Sequence, residues 1–203
     1  MRNALSSLVV CTALVALAAC GGGGSDDAEA VRNEALEGAH ARVEQSHAAY
    51  QEASAELHSL IDAHLADPSE DSGVAVIDQT RETVTASRSF LDNAREYRGL
   101  ADQSGYLDGS SDEESRSGDA TGLLRVALRL QTSAADAEAL EQHIEQLQEQ
   151  IDALTSTGST SPQDLLEINE LDEQLSEATI QLNAILKSSY DLYNSTTRNV
   201  DTQ

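Results

Sequence analysis

Between Leu123 and Leu154, apolar or small residues recur at alternating spacings of three and four: Leu123, Val126, Leu130, Ser133, Ala137, Leu140, Ile144, Leu147, Ile151 and Leu154. This is a heptad seam sustained for more than four heptads. It commits the segment to a long helix that buries one narrow stripe against other helices. Strand side chains alternate with period two, so a strand could not hold this set on one face. The flanking Glu138, Glu141, Glu145 and Glu149 are good helix formers.

Three further segments show helical spacing. The first is expected from Asp27 or Ala28 to Ala66, with Leu36, Val43, Tyr50, Leu57, Ile61 and Leu65 along one side; Asp67 to Gly73, with Pro68, breaks it. The second is expected over 74–100, using Ile77, Val84, Phe90, Leu91 and Tyr97. Its seam also holds Thr80, Ser87 and Ala94, so its packing should be either the weakest or the closest in the molecule. Residues 102–118 read as a Gly/Ser/Asp-rich flexible loop. Ser161-Pro162-Gln163-Asp164 then opens the fourth helix, with Ser as N-cap, Pro at the first helical position and an acid near the capping-box place. Leu165, Ile168, Leu171, Leu175, Leu182, Ile185, Leu186, Leu192 and Tyr193 form its apolar side.

Helices of about 37–40 residues are ~55–60 Å long, and short turns after the first and third favour antiparallel neighbours. The expectation is an all-α fold, an elongated antiparallel bundle of four long helices with coiled-coil-like packing. The second helix, expected to reach only ~40 Å, would leave part of the first uncovered.

Charge restricts the partners. The chain carries 36 acidic residues against 12 basic ones, and Lys187 is the single lysine. A formal net charge of −24 repels nucleic acid and anionic lipid surfaces. High charge with few aromatic residues also suits a disordered chain, but the heptad periodicity argues for folded helices. The acids are spread along the whole chain, which favours a solvated surface suited to high ionic strength over one cation-binding patch.

The N-terminus carries a different signal. Arg2 precedes an apolar run, Leu8 to Ala19, that is too short for a membrane-spanning helix, and Leu17-Ala18-Ala19-Cys20 closes it before Gly21 to Ser25. These residues resemble the lipobox of bacterial lipoproteins. The resemblance implies export, cleavage before Cys20, a diacylglycerol thioether on its sulfur and N-acylation of the new terminus. It divides the chain into a signal peptide at 1–19, a lipidated cysteine and flexible spacer at 20–27, and an acidic helical domain at 28–203. Cys11 would leave with the signal, so no disulfide could form. Gly21 after the cysteine resembles the outer-membrane sorting pattern in a host with two membranes; otherwise the external face of the cytoplasmic membrane is expected. The partners expected are the membrane, through the lipid, and an envelope protein or a second copy.

Chemical motifs are few. His40, Glu44 and His47 share a helical face, and His58 lies five full turns from His40 on that face. Glu44-Gln45-Ser46-His47 has the Glu-x-x-His spacing of carboxylate-bridged metal bundles, but a second such motif is lacking. A divalent metal or small solute on this face is the alternative to half-buried seam histidines. His64 suits the negative end of its helix. Arg81, Arg88 and Arg95 recur every seven residues; pairing with acidic neighbours is the default, and an anion-binding stripe is the alternative. Asp108, Asp112 and Glu114 suggest a loop cation, although Ser110, Glu113 and Asp119 depart from the EF-hand pattern. No Gly-x-Ser-x-Gly elbow, Ser-x-x-Lys pair, His-Glu-x-x-His run or phosphate loop in a βαβ setting occurs. A non-catalytic structural or interaction lipoprotein is expected.

Overall fold

A computed structural model of the chain describes residues 25–103 and 120–200, with side-chain surroundings for 31–102 and 133–194. Four helices account for nearly all of it: α1 (Ser25–Ala66), α2 (Glu70–Gln103), α3 (Ala120–Ser156) and α4 (Pro162–Val200). No strand occurs among the described residues. Cross-helix pairs give the directions. Moving up α1 through His40, His47 and Ser54, the partners on α4 descend through Tyr190, Asn183 and Asp172. On α2 and α3, Arg88 meets Asp152 and Arg98 meets the Ala134 carbonyl. Neighbours are thus antiparallel, and they close a ring in the order α1, α2, α3, α4 with α1–α2 the most extensive interface.

Local chemistry explains the turns. Ser69 caps α2: its Oγ accepts from Ser72 N at 3.1 Å, and Ser72 Oγ accepts from Ser69 N at 3.1 Å, a reciprocal pair of the capping-box kind. α2 therefore starts at Glu70 rather than Val74 and extends to Gln103. At 34 residues it is about 51 Å long, more than the length expected from its apolar pattern. Gly158, with φ of 65°, follows α3 in the left-handed conformation that ends helices. Ser161 caps α4 as its sequence predicts, its Oγ accepting from Asp164 N at 3.2 Å and donating to Asp164 Oδ2 at 2.7 Å. The two turns meet where Gly73 faces Thr160; a Cβ there would lie 3.1 Å from the threonine methyl.

The heptad residues pack as expected wherever side chains are described. Ala137, Ile144, Leu147 and Ile151 are buried, with Leu140 and Leu154 half-buried. Leu123, Val126 and Leu130 lie outside the described side chains. Thr80, Ser87 and Ala94 of α2 are fully buried, so the choice left open by their small size resolves to close packing. α1 begins at Ser25, which makes Ser25 to Asp27 helical rather than spacer. The apolar core falls into two clusters. The larger includes Val43, Tyr50, Phe90, Tyr97, Ile144, Leu175 and Leu182; the smaller holds Leu57, Ile61, Val76, Leu165 and Ile168 at the end with the two short turns.

Candidate functional site

A polar layer lies at the boundary between the clusters. Asp172 sits on α4 between Ile168 and Leu175, on the face that enters the core, and its side chain is 0% exposed. Tyr50, Ser54 and His58 follow one another at four-residue steps on α1, one above the next. Tyr50 Oη donates to Oδ1 at 3.1 Å, Ser54 Oγ donates to Oδ2 at 2.5 Å, and His58 Nε2 lies 3.0 Å from Oδ2. Burial first, and then the Asp172 charge, push the Tyr50 phenol well above its ordinary value, so it stays protonated and donating. On the other flank of α1, Gln79 Nε2 and Thr83 Oγ1 of α2 both donate to the Ala53 carbonyl at 3.1 Å. Gln148 Nε2 of α3 donates to Ser87 Oγ of α2 at 2.8 Å.

Although it contains Ser, His and Asp, this layer is not a nucleophilic triad. Ser54 and His58 both address the same carboxylate oxygen, whereas nucleophile activation requires the imidazole to bond the serine hydroxyl. The arrangement hydrogen-bonds and ties down a buried carboxylate.

His40, Glu44 and His47 lie further toward the start of α1. The His40 ring stacks on Tyr190 of α4, with centroids 4.0 Å apart, and meets Tyr97 of α2 edge-on. Its Nε2 is 3.9 Å from Glu44 Oε1. His47 is only 8% exposed; it packs against Phe90, and Asn183 Nδ2 approaches its Nδ1 to 3.3 Å. Burial lowers both imidazoles below the ordinary value, against the opposing pull of Glu44. His40 Nε2, Glu44 Oε1, His47 Nε2 and Asn183 Oδ1 are buried atoms without a hydrogen-bond partner.

The sequence-predicted metal face is therefore divided. His58 joins Asp172, while His40 and His47 engage Tyr190 and Asn183 at separate levels of the α1–α4 seam. Among the described residues, no group of three or more His, Cys, Asp or Glu side chains is placed to hold a metal ion. His64, expected to answer the helix dipole, is buried with its Nδ1 2.7 Å from Ser72 Oγ. Leu17, Ala18, Ala19 and Cys20, and the loop residues Asp108, Asp112 and Glu114, lie outside the described residues.

Two of the three stripe arginines, Arg88 and Arg95, pair with a neighbouring helix as the default reading expects, and Arg81 does not. Arg88 pairs with Asp152, and Arg95 reaches Glu145 at 3.0 Å and Glu141 at 3.6 Å; Arg81 pairs within its own helix with Asp78. Arg98 lies 2.8 Å from Glu141, which is 4% exposed. Burial raises the Glu141 carboxyl, and the two guanidinium groups pull it back. Outside the core, Asp136, Ala139, Leu140, Gln181, Ala184 and Ile185 line a shallow groove of 530 Å³ between α3 and α4.

Asp172 is absent from the sequence-based candidates, and Glu141 enters them only as one of several flanking glutamates. Asp172 had a signal: Ile168, Leu175 and Leu182 frame it at core spacing. Glu141 had none beyond lying next to Leu140, among flanking glutamates of the same type.

No family model, curated protein or solved structure matches this chain.

Proposed function

We propose that the protein is a lipid-anchored cell-envelope lipoprotein whose helical bundle serves a structural or protein-interaction role, without catalysis. One observation carries this reading: Leu17-Ala18-Ala19-Cys20 ends a short apolar run at a cysteine followed by glycines. Two or three acyl chains, at about 0.8 kcal/mol per buried methylene, hold a protein at a membrane where one holds it only marginally. The start of α1 at Ser25 supports the reading, because it sets a long rod close behind the anchoring cysteine. Among the described residues no helix is long and apolar enough to cross a membrane. The net charge of −24 argues against nucleic acid as a partner; the partner in this reading is an envelope protein or a second copy. In a two-membrane host, Gly21 favours the outer membrane.

The alternative is a bundle that binds a metal or small solute at the His40, Glu44 and His47 face. The unpartnered buried atoms there favour it; the separation of the side chains along the seam counts against it. Zinc retained on purification and lost in a His40→Ala/His47→Ala variant would support this alternative.

Metabolic labelling with a fatty-acid analogue tests the main reading. Label should enter the wild-type chain and fractionate with membranes, and Cys20→Ser should abolish both. An unlabelled chain, or a Cys20→Ser chain still labelled, overturns it.

A further inference from the structure

Of the four histidines of α1, His64 turns to Ser72 of α2, while His40, His47 and His58 face α4 and divide that seam into two unlike halves. In one half His58 lies against the carboxylate of Asp172, which Tyr50 and Ser54 of α1 also hold by hydrogen bonds. In the other half, His47 is wedged between Phe90 and Asn183, and His40 between Tyr97 and Tyr190.

We propose that the α1–α4 seam is an acid-responsive joint: protonation of His47 and His40 loosens the half built on Asn183 and Tyr190, while the Asp172 half stays closed. The geometry at His47 supplies the mechanism. Asn183 Nδ2 donates toward Nδ1, which leaves the ring proton on Nε2. A second proton must enter at Nδ1, where it meets an N–H, so a donor–acceptor contact becomes donor against donor. Asn183 must then withdraw, or turn its amide so that Oδ1 accepts from Nδ1; either way the side chains packed at this level rearrange. The charge itself arrives in a buried site, a costly place unless paired. The charged or titratable groups facing it are few. His47 has Glu44 on its own helix and uncharged Phe90 and Asn183 across from it; His40 has Glu44, then Tyr97 on α2, and Tyr190, Lys187 and Asp191 on α4.

Linkage gives the direction. Both imidazoles are lowered from 6.5 in the folded chain, so the unfolded or opened form binds their protons first. Stability from these sites is complete above that ordinary value and falls as pH drops through and below it. The surface carboxylates titrate mainly lower, and discharging them relieves self-repulsion, so they act in the opposite direction.

Amide hydrogen exchange on the full chain, corrected for the intrinsic pH dependence of exchange, reads the joint locally. Between about pH 7.5 and about pH 5.5, the interval in which histidines switch, protection should fall severalfold in 36–50 of α1 and 182–193 of α4. Residues 53–61 and 165–175 should keep theirs. His40→Gln/His47→Gln should remove the difference between the halves. Equal behaviour of both halves in the wild type, or an unchanged fall in the double variant, overturns the proposal. Should the double variant fail to fold, NMR titration of His47 in the wild type decides. A midpoint below the ordinary value, with shifts spreading to Asn183, supports the joint; a midpoint at or above that value overturns it.

Discussion

At the scale of single residues, Asp172 is the most exposed to failure, because a fully buried carboxylate is tolerable only while its partners hold. Tyr50→Phe removes the donor to Oδ1 and should cost about 1–2 kcal/mol. Asp172→Ala strips the acceptor from Tyr50 and Ser54 at once and should cost roughly 3 kcal/mol or more. Urea unfolding of the two variants measures both effects, and a cost for Asp172→Ala below that of Tyr50→Phe would contradict the description of the layer. The sequence disclosed this site only halfway. Tyr50 was legible as a core residue from its place on the α1 stripe. That Ser54 and His58 continue inward from it depends on which side of α1 receives α4, a fact of tertiary packing that helical spacing does not contain. The same limit explains the histidine face: i, i+4 and i+7 spacing correctly places His40, Glu44 and His47 together on α1. It cannot say that Tyr190 and Asn183 would occupy the rings one by one.

At the scale of elements, the helices were readable because period and punctuation agree. Ser161 and Pro162 fixed the start of α4, and Pro68 fixed the end of α1. The start of α2 was not readable from its apolar pattern, since Glu70 to Gly73 carry no apolar residue; the Ser69–Ser72 pair makes that turn helical instead. Arg95 and Arg98 against Glu141 align α2 with α3, whereas Asp172 aligns α1 with α4. Polar layers of this kind trade stability for register. Replacing the three buried members of the layer, by Tyr50→Phe, Ser54→Ala and Asp172→Leu together, and leaving the half-exposed His58 to solvent, should recover the cost of Asp172→Ala and leave stability equal to or above wild type. Guanidinium unfolding with an unchanged m-value would confirm that recovery; a triple variant as unstable as Asp172→Ala would contradict it. Glu141 titrates in the reverse sense to the histidines: with its carboxyl raised by burial, the folded chain takes up that proton first, and stability from this site rises as pH falls through its folded value.

At the scale of the whole molecule, net charge and anchor set the conditions under which the bundle works. Most of the acids lie on outward faces, and a chain at −24 repels itself over distances that salt screens, with a Debye length of about 10 Å at 0.1 M and about 3 Å at 1 M. The melting temperature should therefore rise steadily as potassium chloride increases from about 0.1 M to about 1 M; a fall would mean that ion pairs such as Arg88–Asp152 outweigh the general repulsion. The central claim concerns Cys20, and the intact mass of the protein extracted from membranes tests it most directly. The account predicts a chain that begins at Cys20 and is heavier than residues 20–203 by a diacylglycerol and one further acyl group. A chain that retains residues 1–19, or one that begins at Cys20 with an unmodified thiol, would contradict it.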